Sequence, residues 1–312
     1  MREYILRRLL HFLPVLFGLT VFVFLIIHFI PGDPARIMLG IRATPENVER
    51  LRQALGLDRA LIVQYLTFLI NIFRGDLGTS IAYRTGVLGV ILQRLPATLM
   101  LISLGALISV IFAVPLGVIS ALRPRGFRDN AIRLATLFGF TMPSFWVALL
   151  LMMFLGVKLR IFPVSGFGES LGDRIWHLVL PSFVLGLYLT PVILRPLRAS
   201  ILESLQANHV TTARAKGLKE WEVTSRHAFR NALIPSVTIF GVNIGWLLGG
   251  TVVIEATFSL PGIGMLLVGS IFKRDYPMVQ GVTLVFGFLI ITINFITDIF
   301  YSYLDPRIRM GE

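Results

Sequence analysis

The amino-acid sequence predicts an all-α integral membrane protein with six transmembrane helices. Of its 312 residues, 55% are hydrophobic and only 15% are charged, and its mean hydropathy is +0.79. Soluble domains are about 45–50% apolar and about 25% charged. Six segments also reach the roughly 20 apolar residues that a membrane-crossing helix needs. These segments are residues 9–30, 98–122, 132–157, 176–194, 233–258 and 278–303.

The first span is expected to remain in the protein. Basic residues precede about twenty apolar positions in the sequence MREYILRRLLHFLPVLFGLTVFVFLIIHFI, whereas the apolar region of a cleavable signal has about 7 to 15 residues. Pro14 is expected in the first turn of this helix, where its missing N–H would have no partner in any case.

The basic residues predict the orientation of the spans. With the N-terminus in the cytoplasm, sixteen Lys and Arg residues lie on the inner side and five lie in the two short outer loops. Basic residues are enriched in cytoplasmic loops, so both termini are predicted to be cytoplasmic. The net charge of +12 is interpreted as topology and lipid contact rather than nucleic-acid binding. The absence of cysteine excludes disulfides, thiol catalysis and cysteine-ligated zinc.

The long segment after the first span, residues 31–93, is predicted to be extracytoplasmic and helical. Thr44 is an expected N-cap, Pro45 the first helical residue and Gly56 the terminator of one helix. A second amphipathic stretch, ALIVQYLTFLINIFRGDLG, follows it. The segment is interpreted as a lid that packs on its own protein, with direct substrate binding as the alternative.

Motifs for nucleotide hydrolysis and for metal-centred catalysis are missing. The sequence has no G-x-x-x-x-G-K-[ST] phosphate loop and no H-E-x-x-H. Its five histidines never recur at spacings of three or four. The chain is therefore expected to be no enzyme, to hold no metal or cofactor, and to hydrolyse no ATP by itself.

Several residues within the spans are unusual for a membrane segment. Glu255 and Asp298 are ionisable residues that are costly to place in a bilayer, so each is either an interhelical bonding group or part of a translocation path. Small residues spaced along one helix permit close helix packing, and Pro143, Pro181 and Pro191 predict kinks. The small residues concerned are Gly241, Gly245, Gly249 and Gly250.

Residues 195–231 form the longest predicted cytoplasmic loop. Its sequence TTARAKGL offers Thr211 or Thr212 as the N-cap of a short helix and Gly217 as its left-handed terminator. Ala213 and Ala215 would let another protein approach closely. A DNA-binding helix-turn-helix is disfavoured because membrane spans tether both sides of the loop. The loop is therefore interpreted as a docking surface.

This loop resembles the coupling motif E-A-A-x-x-x-G in the membrane subunits of bacterial ATP-binding-cassette importers. Thr211, Thr212, Ala213 and Gly217 occupy the E, A, A and G places, and Pro235 follows the glycine by eighteen residues, later than in the general form. Both departures are similar to the dipeptide, oligopeptide and nickel permease family. Ten further segments resemble that family in order: RRLLHFLPVLFG, HFIPGDPAR, LGLD, GDLGTS, LPATL, PSFW, LPSFVLG, LRASILE, FSLPGIGMLLVGSIFKRDYPMVQ and DPRIR.

The resemblance implies a type I importer permease fold in a bacterial inner membrane. It also implies a second, similar permease subunit, two ATP-binding subunits that hold the ATP, and an extracytoplasmic solute-binding protein. Its boundaries would be a first helix at 1–30, an outer segment at 31–93 and a permease core at 94–304 that contains the loop 195–231. Coupling to the ATPases would use Thr211, Thr212, Ala213, Arg214, Ala215 and Gly217, and candidate path or gate residues are Glu255, Pro261, Gly262 and Asp298.

Peptides are the expected cargo, with nickel or glutathione as alternatives within the family. From other classes, an ATP-independent secondary transporter is disfavoured because the sequence lacks a convincing internal repeat and a relay of buried carboxylates. A structural or sensory membrane protein is disfavoured by the docking loop and by the gate-like sequence SLPGIG.

Overall fold

The computed structural model describes residues 2–29, 33–40, 43–54, 56–224 and 229–304. Within these ranges the chain is helical, and its β-structure is limited to an isolated bridge between Thr79 and Gly86. The helices are α1 (Arg2–Phe29), α2 (Pro34–Leu39), α3 (Pro45–Ala54), α4 (Leu61–Phe73), α5 (Val87–Leu122), α6 (Phe127–Thr141), α7 (Ser144–Leu151), α8 (Leu171–Gln206), α9 (Asn208–Ala215), α10 (Glu220–Glu222), α11 (Phe229–Thr257), α12 (Ile263–Phe272) and α13 (Tyr276–Leu304). A π-helical stretch, Met152–Lys158, continues α7.

The helical membrane architecture predicted from the sequence is confirmed. Five described helices are long and apolar enough to cross a bilayer, and the bent pair of α6 and the Ser144–Lys158 segment gives a sixth span when the two parts are counted as one. α5 and α8 have 36 residues each, or roughly 54 Å at 1.5 Å per residue. This length exceeds a hydrocarbon core of about 30 Å even when the helix is tilted. Both helices therefore extend beyond the bilayer.

Pro143 divides the third span. α6 and the helical segment that begins at Ser144 meet at an angle of 103°. A proline disfavours the α conformation in the residue before it, and Met142 is extended, with ψ at 143°. The hydroxyl of Tyr188 on α8 donates a hydrogen bond to the carbonyl oxygen of Met142. The predicted kink at Pro143 is thus a sharp bend tied to a neighbouring helix.

The other prolines that the sequence places in the predicted spans lie inside continuous helices. Pro181 and Pro191 are both internal to α8, so the kinks expected at these positions do not break that helix. Pro14 is internal to α1, because the helix begins at Arg2. The expectation that Pro14 occupies the first turn is wrong, since the basic residues ahead of the apolar stretch are already helical.

Glycines bring α5 and α8 together in the first of two compact units, which comprises residues 1–5, 98–260 and 290–312. A Cβ atom on Gly186 would lie 2.8 Å from Cγ2 of Ile108 and 3.1 Å from the carbonyl oxygen of Gly105. Real Cβ atoms essentially never show a contact as short as the first of these, so glycine at position 186 permits the observed packing. The close contact of the two helices depends on the missing side chains.

The glycines of α11 serve helix packing in part, as predicted. A Cβ on Gly245 would lie 3.2 Å from Oδ1 of Asn294 on α13, and one on Gly241 would collide with Thr297. Gly250 faces Leu185 at an ordinary contact distance, whereas no described atom lies within 4 Å of a Cβ at Gly249. The close approach of α11 and α13 is therefore made by the first two glycines of the series.

The second unit comprises residues 6–97 and 261–289 and contains the predicted outer segment. The N-cap expectation at Thr44 is confirmed, because its hydroxyl accepts a hydrogen bond of 3.3 Å from the N–H of Asn47, and Gly56 has φ of +66°. Tyr65 of α4 shares a 2.9 Å hydrogen bond with Thr20 of α1 and packs edge-on against Phe24. These contacts favour the interpretation of a lid that packs on its own protein.

A buried carboxylate anchors the turn before α5 in this second unit. Asp275 has no exposed surface and accepts a 2.5 Å hydrogen bond from the hydroxyl of Ser80. It also accepts bonds from the N–H groups of Ile81, Ala82 and Met278. The turn containing Ser80 is thereby joined to the beginning of α13.

Candidate coupling site

The predicted coupling segment follows directly from the long helix α8. α8 ends at Gln206, and Ala207 alone is extended, with φ of −72° and ψ of 149°, before α9 begins at Asn208. Thr211 and Thr212 therefore lie in the second turn of α9, and the prediction that one of them is the N-cap is wrong. The hydroxyl of Thr212 donates instead to the carbonyl oxygen of Asn208 at 3.0 Å. α9 starts earlier than the sequence predicts, because the single extended residue Ala207 is enough to separate it from α8.

Gly217 ends the coupling segment as the sequence predicts. Its φ is +79°, in the left-handed region that glycine enters without a steric penalty. Its N–H donates to the carbonyl oxygen of Arg214 at 2.9 Å, and the N–H of Leu218 donates to that of Ala213 at 3.4 Å. A Cβ at Gly217 would meet no described atom within 4 Å. The position therefore selects glycine through backbone conformation and not through space within the chain.

The two alanines of α9 lie in different environments. Ala213 is only 5% exposed and packs with Val210 and Val223 in a small apolar cluster that Leu205 of α8 completes. Ala215 is exposed, as are Thr211, Thr212 and Arg214. The expectation that both alanines meet a partner therefore needs revision. Ala213 holds α9 against its own chain, whereas Ala215 lies on the exposed surface of α9.

An exposed aromatic residue lies just beyond Gly217. Trp221 on α10 is 73% exposed, and Leu218 is 39% exposed. Tryptophan is enriched among the residues that contribute most to protein–protein binding. Sequence reasoning missed both side chains, although a tryptophan in the otherwise polar stretch KEWE was a usable signal.

A buried ion pair holds α8 shortly before the coupling segment. Asp129 of α6 has no exposed surface, and Arg198 of α8 binds both of its carboxylate oxygens at 2.8 and 2.7 Å. Ser120 of α5 donates to the same carboxylate at 2.5 Å, and the N–H of Arg125 donates at 2.8 Å. Bidentate arginine–carboxylate pairs are strong and geometrically specific. The end of α5, the beginning of α6 and the last third of α8 are therefore fixed relative to one another.

Apolar packing continues from this ion pair toward α9. Leu197 and Ile201 of α8 are fully buried against Ala121 of α5 and Ala232 of α11. The sequence pattern identified neither Asp129 nor Arg198 as a structural residue. Arg198 contributed only to the count of basic residues that predicts the orientation. α8 is thus well supported up to the point at which the coupling segment begins.

The candidate path residues lie at several places. Glu255 is fully buried in the first unit, where the hydroxyl of Thr98 donates to its Oε1 at 2.6 Å. This geometry favours an interhelical bonding group between α5 and α11. Asp298 is half-buried on α13. In the second unit Pro261 is half-buried, and Gly262 is the N-cap residue of α12. A role of these residues in translocation stays a prediction.

Comparison with known proteins identifies similar chains along the whole length. Residues 113–310 match the family described as the binding-protein-dependent transport system inner membrane component, and residues 1–102 match its N-terminal companion. The oligopeptide transport system permease protein AppB of Bacillus subtilis is 40% identical over 99% of this chain and 100% of its own. The glutathione transport system permease protein GsiC of Pectobacterium atrosepticum is 40% identical over 99% of both chains.

Solved structures show the same fold at lower identity. A chain of the MetNI methionine ABC transporter, in an inward-facing conformation, superposes with a TM-score of 0.57 at 16% identity. The match covers 69% of this chain and 96% of the other. The likeness supports the predicted permease fold and carries no information on cargo.

Proposed function

This chain belongs to the family of binding-protein-dependent transport system inner membrane components, which are the membrane-spanning permease subunits of ATP-driven importers. We propose that it couples transport to ATP hydrolysis through α9 and the turn at Gly217. The supporting observation is the exposed surface of Thr211, Thr212 and Ala215 at the end of the firmly held helix α8. ATP binds to partner subunits in this proposal, and this chain holds no cofactor.

The proposed complex contains two permease subunits, this chain and a similar but distinct one, with two ATP-binding subunits and an extracytoplasmic solute-binding protein. The division into a first helix at 1–30, an outer segment at 31–93 and a core at 94–304 is part of the same proposal. Force from ATP hydrolysis would pass through α9 into α8, because α8 is the long helix that directly precedes the docking surface.

Peptides are the proposed cargo. The relatives AppB and GsiC are named for oligopeptide and glutathione transport, and glutathione is itself a small peptide. Nickel remains the alternative. Competition for uptake by a dipeptide, a longer peptide, glutathione and a nickel chelate, measured with the solute-binding protein present, will distinguish these cargos.

The ATPase partnership is tested by purification and reconstitution. We expect the chain alone to bind and hydrolyse no ATP, because it lacks a phosphate loop. Co-expression with its second permease subunit and ATP-binding subunits should yield a complex that hydrolyses ATP and takes up peptide in vesicles. Stoichiometric ATP binding by the isolated chain, or failure of ATP-binding subunits to co-purify with it, would contradict the proposal.

The orientation of the chain is a separate prediction. The excess of basic residues on one side of the spans predicts that both termini and the coupling segment are cytoplasmic. A reporter that is active only outside should be active when fused after residue 60 and inactive after residue 218. Cytoplasmic reporter activity at residue 60 would show that the orientation is reversed.

A further inference from the structure

A cleft of about 560 Å³ opens between α6 and α8 in the first unit. Its polar lining includes Arg133 of α6 and Arg195 of α8, and its apolar lining includes Leu134, Leu137 and Leu194. Asn130, Arg133, Leu134 and Leu137 recur at the spacing of one helix face, so α6 presents basic and apolar groups together to the cleft.

The two arginines carry charge that the described part of the chain does not neutralise. Both side chains belong to exposed residues, and no salt bridge among the described residues includes either of them. Arg198 also lines the cleft, but its guanidinium is occupied by Asp129. The cleft therefore has a net positive character that suits an anionic ligand.

The polarity of the cleft is graded along the helices. The Asp129–Arg198 pair joins the beginning of α6 to the last third of α8. Arg133 lies about one helical turn from Asp129 along α6, and Arg195 lies about one turn from Arg198 along α8. Leu137 lies about 12 Å from Asp129 along α6, at 1.5 Å per residue. The arginines lie at the ends of the predicted spans 132–157 and 176–194, at the level expected of lipid headgroups.

We propose that this cleft binds an anionic phospholipid, with the phosphate between Arg133 and Arg195 and an acyl chain along the exposed side chains of Leu134 and Leu137. Basic pockets between transmembrane helices bind anionic headgroups, and the graded lining matches the two parts of such a lipid. A soluble anion would use the arginines alone. The lipid bridges α6 and α8 beside the ion pair, so it supports the same helix that leads into the coupling segment.

Lipid retention by the intact complex tests the proposal. The complex is purified from nanodiscs that contain phosphatidylglycerol and phosphatidylcholine, and the lipid that stays bound is measured by native mass spectrometry. The unmodified complex should retain phosphatidylglycerol preferentially. Arg133→Gln combined with Arg195→Gln should weaken this retention on the order of 30-fold, which is about 2 kcal/mol for two surface arginines.

Arg123→Gln combined with Arg128→Gln is the matched control, because it removes the same charge from two exposed residues outside the cleft, one in the turn before α6 and one at the beginning of α6. This control should keep its bound phosphatidylglycerol. Equal loss in both double variants would indicate diffuse surface attraction and overturn the site. Unchanged lipid retention in the cleft variant would also overturn the site, because the two arginines would then not hold the lipid. Loss of the second permease subunit from the cleft variant would overturn it too, because this face would then contact protein.

A second measurement, of thermal stability, begins with the unmodified complex. A ligand that binds only the folded state raises thermal stability, so phosphatidylglycerol should raise the Tm of the unmodified complex more than phosphatidylcholine does. The cleft double variant should lose this difference, and the control double variant should keep it. The absence of any difference in the unmodified complex would contradict the proposal.

Discussion

Arg198→Ala is expected to destabilise the protein by about 3–5 kcal/mol, the usual cost of leaving one partner of a buried ion pair without the other. Asp129 has no exposed surface, so its carboxylate would lose two charge-assisted bonds in a largely buried site. The fraction of chain that survives detergent extraction and heating as a folded species, followed by size-exclusion fluorescence, measures this loss. Peptide uptake should fall with it.

The neighbouring Arg128 provides the control for this prediction. Arg128 is exposed, and Arg128→Ala should change stability by no more than about 0.5 kcal/mol. Replacing both members of the pair, as in Asp129→Leu with Arg198→Met, removes the unpaired buried charge and should recover much of the lost stability. An Arg198→Ala protein as stable as the Arg128→Ala protein would mean that the ion pair contributes nothing to the fold.

Gly217→Val is expected to abolish most transport while leaving the membrane helices folded. The residue has φ of +79°, and a left-handed conformation costs a residue with a Cβ about 1–2 kcal/mol, with β-branched residues the least suited to it. A penalty of this size shifts a local equilibrium by a factor of about 5 to 30. The turn would open and reorient α10 relative to α9, so peptide uptake and substrate-stimulated ATP hydrolysis should fall together.

Gly217→Asn separates backbone strain from side-chain bulk at the same position. Asparagine enters the left-handed region more readily than other residues with a Cβ, so this variant should keep most of its uptake. A Cβ has open space within the chain at this point. Equal loss of uptake in the Asn and Val variants would show that any side chain obstructs the partner, whereas normal uptake in both would show that the turn does not transmit force.

Features set by neighbouring residues were predictable from the sequence. The six spans follow from runs of apolar residues, and the turns at Gly56 and Gly217 follow from glycine after a short helix. The N-cap at Thr44 also follows from local sequence. The start of α9 was not predictable in this way, because one extended residue, Ala207, suffices to separate it from α8.

Features that join distant parts of the chain could not be predicted. Asp129 and Arg198 are 69 residues apart, and nothing in the residues around either one identifies the other as its partner. The environment of Ala213 also depends on the chain beyond the turn, because Val223 covers it. Helix periodicity shows that a surface exists, but only tertiary packing decides which of two nearby alanines is covered.

The bond between Ser80 and Asp275 has a consequence for biogenesis. The two residues are 195 positions apart in the chain, and ribosomes add about 5–20 residues per second. The turn before α5 must therefore wait roughly 10 to 40 seconds for the carboxylate that completes it. During that interval the Ser80 hydroxyl and the backbone N–H groups of Ile81 and Ala82 have not yet met their carboxylate acceptor. A nascent chain halted before residue 275 would thus carry an incomplete outer turn even when α1 and α5 are already inserted.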